Sequence, residues 1–209
     1  GNHDCFYKNT NEINALRELI AGKYNFIKIY SSTTEVEFDG LKILFVPWIC
    51  EDNEEETFNK IKATNAQICM GHLELAGFQM YKGIVASEGI SPTIFNKFDS
   101  VFSGHYHHRS SDGNIFYLGS HAEFTWSDYN DPRGFHIFDT ETRKLEFIEN
   151  PYKVFRKIFY KGSGPDEDEV DYSKSIVKII VQNKDNPYLF DKFVESIEKQ
   201  TQQENTNKK

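Results

Sequence analysis

The stretch Asp99–His108, DSVFSGHYHH, decides how the chain is read. Its apolar run has the length of a short buried strand and ends in Gly104-His105-Tyr106-His107. The same pattern stands upstream in Ala66–His72, AQICMGH, where the run ends in Gly71-His72. A third run, Asn114–Ser120, NIFYLGS, ends in Gly-Ser. A glycine at the strand end is expected to let the backbone turn sharply while the next imidazole projects from the C-terminal edge. In α/β sheets that edge is where ligands bind. In His105-x-His107 both rings can reach one site if the backbone bends there, each meeting a different ion. Ahead of both lies Gly1-Asn2-His3-Asp4, which adds an amide oxygen, an imidazole and a carboxylate. Neutral imidazole suits Zn, Mn, Fe or Ni, and an amide oxygen suits the harder members of that series. Gly71-His72 alone is a weak signal, but the three clusters together point to a metal site. His121 and His136 read as surface or satisfied core histidines, and His108 as a neighbour of the pair that points elsewhere.

Composition bounds the rest. The 209 residues can bury one sizeable core, alone or with a small appendage. The formal charge of −8 does not advertise nucleic-acid binding by bulk electrostatics, so phosphate chemistry needs ions, a local basic patch or a partner. Cys5, Cys50 and Cys69 are odd in number and widely spaced, and read as free thiols of a reducing compartment. No apolar run approaches the roughly 20 residues that cross a bilayer.

Local patterns predict a helix over Asn11–Ala21, capped by Asn9 or Thr10 and stopped at Gly22, with Ile13, Leu16 and Ile20 on one face. Strands are predicted at Phe26–Tyr30, Thr34–Phe38 and Leu41–Pro47, the last two joined at Asp39-Gly40. EDNEEETFNKIKATN reads as a helix with acid at its start and Lys60 and Lys62 near its end. GFHIFDTETRKLEFIEN reads as a hairpin around Thr140–Arg143. The composition shifts near Lys161, and after the charged stretch GSGPDEDEVDYS come a strand and a helix capped by Asn186 and opened by Pro187. The expected apolar face of that helix is Leu189, Phe190, Phe193, Val194 and Ile197.

GNHD, then GH, then GHYH resembles the second half of the calcineurin-like metallophosphoesterase signature, in which Asp-x-His and Gly-Asp-x-x motifs come first. VPWICEDNEEE, ICMGHLELAGF, FSGHYHHR and YLGSHAEFTWSDYNDPRGFHIFDTET are similar to one branch, the SbcD-type nuclease subunits of double-strand-break repair and their phage recombination-endonuclease relatives. The likeness runs to about Asn150. It implies an α/β fold, the α/β/β/α sandwich of that superfamily lacking its first β-α units, plus the start of a small α+β capping domain. The implied organisation is a nuclease domain over 1–155, a linker over 156–174, the beginning of the capping domain over 175–200 and a disordered tail over 201–209.

Carried over by position, Asn2, His72 and His105 would ligate one ion and His107 the other. His3 would be the acid that assists the leaving oxygen, oriented by Asp4. The complete family site holds two divalent ions, with Mn favoured and Fe, Zn or Ni possible, which clamp the attacking and leaving oxygens of an in-line displacement. The first two motifs do not stand ahead of GNHD, so the expectation is a fragment that keeps at most one ion, is inactive alone, and has open sheet edges and exposed apolar faces. The implied activity is a metal-dependent DNA exo/endonuclease, a hydrolase of recombination and repair. The implied partners are DNA, an SMC-like coiled-coil ATPase of SbcC type and a second copy of the complete protein, in the cytoplasm and without a membrane. Two alternatives stand beside it: a catalytically incompetent remnant, and another phosphatase or phosphodiesterase of the superfamily.

Overall fold

The computed structural model describes residues 1–162 and 171–202, which form two compact units. The first comprises residues 1–121 and 131–149, and the second residues 122–130 together with the described residues from Asn150 onward.

The first unit is mixed α/β. It holds the helix α1 (Ala15–Ile20), the strands β1 (Thr34–Phe38) and β2 (Leu41–Val46), the helix α2 (Glu54–Ala63) and the strand β3 (Ile68–Gly71). A small hairpin follows, β4 (Gln79–Tyr81) and β5 (Ile84–Val85), then β6 (Ser100–Ser103), β7 (Ser110–Asp112), β8 (Ile115–Tyr117), β9 (Gly134–Phe138) and β10 (Leu145–Glu149). Six strands form one sheet in the order β1-β2-β3-β6-β8-β7. The inner pairs β2–β3, β3–β6 and β6–β8 are parallel, and the outer strands β1 and β7 run antiparallel to their neighbours.

The period of two along each inner strand builds two cores. Leu44, Cys69, Val101, Ile115 and Tyr117 face one side, where Ile61 of α2 and Phe95 join them. Ile43, Ile68 and Phe102 face the other, against Phe138 and Leu145 of the β9–β10 hairpin. Burial on both faces is why these strands read as continuous apolar runs rather than alternating ones.

Several expectations shift. Asp39 and Gly40 do make the β1–β2 turn, with φ of 49° and 80°, the positive values that a tight hairpin needs. The helix over 11–21 shrinks to α1 because Asn14 takes the cap, its side chain accepting from the Arg17 N–H at 3.0 Å. No side chain of α1 is buried, so its apolar residues do not face a core. Residues 26–30 form no strand: Phe26 is 78% exposed, and Tyr30 stacks on Phe45 at 5.5 Å instead of pairing its backbone.

In the second unit, β11 (Phe155–Lys161) and β12 (Ile176–Asn183) pair in parallel, and α3 (Pro187–Gln202) follows. The linker predicted over 156–174 therefore begins as strand, because Phe155, Ile158 and Tyr160 are buried side chains with something to pack on. Residues 163–170 of that stretch and 203–209 of the expected tail lie outside the described residues. Asn186 caps α3, accepting from the Leu189 N–H at 3.2 Å. Phe190 and Phe193 pack on Tyr160 at 5.0 and 5.1 Å, and Ile197 is buried, whereas Leu189 is exposed. Trp126 packs on Phe155, and the buried Glu123 carboxylate accepts from the N–H groups of Val154 and Phe155 at 2.8 and 2.9 Å.

Candidate metal centre

The adjacency of β3 and β6 brings the histidines together. In their parallel register Gly71 lies opposite Ser103, so the next residues, His72 and Gly104-His105, leave the sheet side by side at its C-terminal edge. The His105 Nδ1 and His72 Nε2 atoms are 3.1 Å apart, and the Asn2 Oδ1 atom lies 2.9 Å from the same His72 nitrogen. The two rings meet edge-on at 89°. The glycines before the histidines act differently from the expectation, since neither adopts a positive φ. At Gly71 the constraint is space: a Cβ would sit 2.8 Å from the Val46 carbonyl.

Residues 73–75, which carry the chain away from His72, are held by buried hydroxyls. Ser103 Oγ accepts from the Leu73 N–H at 3.0 Å and donates to its carbonyl at 3.2 Å. The Tyr117 hydroxyl donates to the Leu73 carbonyl at 2.7 Å and accepts from the Leu75 N–H at 3.0 Å, and Tyr106 donates to the Leu75 carbonyl at 3.1 Å. These groups replace the ladder that β3 has just left, so the backbone beyond His72 is satisfied in the interior. Burial raises both tyrosine pKa values, which keeps the phenols protonated as donors.

Three donors meet at His72 Nε2: two imidazole nitrogens and an amide oxygen. With the proton on His105 Nδ1, the His72 nitrogen and the Asn2 oxygen face each other as lone pairs; with it on His72 Nε2, a single N–H is shared between two acceptors. A cation satisfies all three at once, and neutral imidazoles with an amide oxygen form a set that Mn, Fe, Zn or Ni accepts. The electrostatics agree. The His72 pKa is lowered to about 4 by burial first, then by the Gly1 ammonium and His105. Burial also lowers the His105 pKa, against the nearby Glu74 carboxylate, which lies 3.9 Å from His105 Nε2. Both rings are thus neutral, the form that ligates metal.

The remaining predicted residues are placed differently. His107 lies close enough to contribute to lowering the His105 pKa. Among the described residues no group of three or more His, Cys, Asp or Glu side chains is arranged to hold an ion; the cluster at His72 has two imidazoles and an amide. His3 is exposed, and the Asp4 carboxylate lies 2.6 Å from the Gly1 nitrogen. His108 is engaged: its Nδ1 lies 2.8 Å from the buried Asp131 carboxylate, which also accepts from Arg133 at 2.8 Å.

Sequence reading missed Asp131, Arg133 and Gly119. An Asp-Pro-Arg so soon after a histidine-rich segment was the available signal for the first two. Gly119, in the run ending Gly-Ser, has a φ of 74°, and a Cβ there would come within 2.9 Å of the His107 carbonyl. Ser120 N–H donates to that same carbonyl at 3.0 Å, so the 119–120 turn pins the segment that carries His105 and His107.

The chain is 42% identical over 199 residues to exonuclease subunit 1 of Enterobacteria phage T4, covering 95% of this chain and 57% of that protein. It is 29% identical over 147 residues to the SbcD subunit of the nuclease SbcCD of Staphylococcus epidermidis, covering 65% of this chain and 37% of that protein. The corresponding protein of Staphylococcus saprophyticus matches at 29% over 105 residues. This chain is a homologue of the SbcD-type and phage exonuclease subunits. No family model matches it. The chain thus spans little more than half the length of its phage relative, and less of the bacterial ones.

Proposed function

We propose that this chain is part of a metal-dependent DNA nuclease subunit of recombination and repair, built on the calcineurin-like sandwich. The convergence of Asn2, His72 and His105 at one point carries the reading, in a chain whose homologues are named as exonuclease and nuclease subunits. Asn2 Oδ1, His72 Nε2 and His105 Nδ1 would hold one divalent ion, with Mn favoured. His107 would serve a second ion, and His3 would protonate the leaving oxygen. When bound, such ions supply Lewis-acid stabilisation of charge on phosphate oxygens and orient the reacting groups.

The protein's own contributions are positional. β3 and β6 set the two imidazoles in register, the hydroxyls of Ser103, Tyr106 and Tyr117 fix the backbone beyond His72, and burial keeps the rings unprotonated. His3 is exposed, so a substrate could reach it for the proposed acid role. The donors at His72 suit one ion, so we infer that this chain binds one and does not hydrolyse DNA alone. Two relatives are named as components of a nuclease called SbcCD, which supports an SbcC-type ATPase as partner. DNA as substrate, pairing with a second copy and a cytoplasmic location belong to the same reading. No helix among the described residues is long and apolar enough to cross a membrane.

Calorimetric titration with Mn²⁺ tests the site. The expected result is about one ion per chain, abolished by His72→Ala and by His105→Ala. Absence of binding to wild-type protein, or binding that survives both substitutions, would overturn the assignment.

A further inference from the structure

A second concave site lies in the first unit, between the β7–β8 edge of the sheet and the β9–β10 hairpin, with a volume of about 370 Å³. Its lining includes Arg109, Ser110, Ser111, Phe116, His136 and Phe147, and no acidic side chain among the described lining residues. That composition is unusual for this chain, which carries 32 carboxylates against 24 lysines and arginines. The Arg109 guanidinium carbon lies over the Phe147 ring, 3.8 Å from its centroid. A guanidinium held over a ring keeps N–H groups for a planar or tetrahedral oxyanion. His136 packs against the same ring at 5.0 Å. Ser110 Oγ is buried with no hydrogen-bond partner among the described residues, a cost that a bound acceptor would remove. Arg109 stands two residues beyond His107, so this pocket and the metal donors are served by one segment.

We propose that this pocket is a phosphate subsite for a DNA strand, in which Arg109, held over Phe147, grips a backbone phosphate, Ser110, Ser111 and His136 complete the hydrogen bonding, and Phe116 presents ring surface to the sugar. The proposal rests on the nuclease reading for its choice of ligand. Its chemistry is that of single-strand grooves, which combine a cation for the backbone with aromatic faces for the bases. Burial and the Arg109 charge lower the His136 pKa in the free protein, so an anion arriving there reverses the second of these effects.

The test is fluorescence anisotropy with a labelled single-stranded thymidine dodecamer in EDTA, where no cleavage intervenes. Arg109→Ala should weaken binding about tenfold or more, as expected for a lost charged hydrogen bond. It should also lower the log–log salt slope by about 0.7, one single-strand phosphate contact. Arg109→Lys should keep the slope and lose part of the affinity, and exposed Lys82→Ala should stay within about twofold of wild type. Titrating His136 by NMR with and without the dodecamer should show its pKa rising on binding, a response that a merely structural arginine would not produce. Failure of the wild-type chain to bind the strand, or equal effects of Arg109→Ala and Lys82→Ala, would overturn the proposal. Mn²⁺ calorimetry keeps the two readings apart. Ion binding without strand binding removes only the subsite, whereas Arg109-dependent strand binding without ion binding removes only the metal assignment.

Discussion

Tyr117→Phe takes one oxygen out of the interior and changes almost no volume. In the wild-type chain that oxygen donates to the Leu73 carbonyl at 2.7 Å and accepts from the Leu75 N–H at 3.0 Å, with Tyr117 only 1% exposed. The Leu73 carbonyl keeps Ser103 Oγ at 3.2 Å, so its loss is about 1 kcal/mol. The Leu75 N–H is left buried without that acceptor, which costs roughly 1–3 kcal/mol. The sum, about 2–4 kcal/mol, corresponds to a fall in Tm of roughly 5–12 °C for a chain of this size. Tyr106→Phe removes only a donor to the Leu75 carbonyl, so it should cost about 1 kcal/mol. Thermal melting and urea titration of both variants supply the comparison, and Mn²⁺ affinity supplies a second readout, since the segment beyond His72 is what loosens. A Tyr117→Phe chain melting within about 2 °C of wild type, or a larger loss at Tyr106, would refute the idea that these hydroxyls hold the backbone beyond His72.

Acidification should destabilise the metal-free chain. The folded-state pKa values of His72 and His105 lie below the ordinary histidine value, so the unfolded state binds more protons. The stabilisation is complete above about pH 6.5 and is lost as the pH falls toward about 4; urea midpoints measured stepwise over that window should decline, and decline less in His72→Ala. A midpoint that rises on acidification would contradict the assignment. Gly119→Ala forces a φ of 74° on a residue with a Cβ, 2.9 Å from the His107 carbonyl, and should cost about 1–3 kcal/mol with weaker ion binding; a neutral substitution would show that the turn does not pin this segment. Glu123→Ala strips the shared acceptor from the Val154 and Phe155 N–H groups and should cost roughly 2–4 kcal/mol. Hydrogen exchange reads that loss directly, and unchanged protection of the two amides would count against it.

The sequence pattern captured what depends on neighbours along the chain. The turn at Asp39-Gly40, the polarity of α2, the cap at Asn186 and the β9–β10 hairpin are all local, and each formed where its residues indicated. What failed was competition between local options. Asn14 prevailed over Asn9 and Thr10 for the cap of α1, because its amide is also held by the Asn11 carbonyl and by Ser31. Residues 156–161 read as linker beside a charged stretch, yet Ile158 and Tyr160 alternate inward in a strand that pairs with β12. That alternation was visible, but its partner lay beyond the linker.

The site divides along the same line. Apolar runs ending in Gly-His located His72 and His105, but their 3.1 Å contact requires β3 and β6 to be parallel neighbours, a fact of strand order rather than of sequence. The same strand order answers the question that the net charge of −8 raises, namely where such a chain could meet phosphate. It sets β7 and β8 beyond β6, so the segment joining β6 to β7 carries His105, His107 and Arg109 past the C-terminal edge in five residues. Neutral donors stand at one end of that segment and the Arg109 guanidinium at the other. A cation held at the first and Arg109 at the second would reverse the sign of the local field while the rest of the surface stays acidic. Long-range attraction for DNA would then be weak and contact at this edge strong, so affinity should depend on Arg109 more than on total charge even without the ion, and should rise further when an ion is bound.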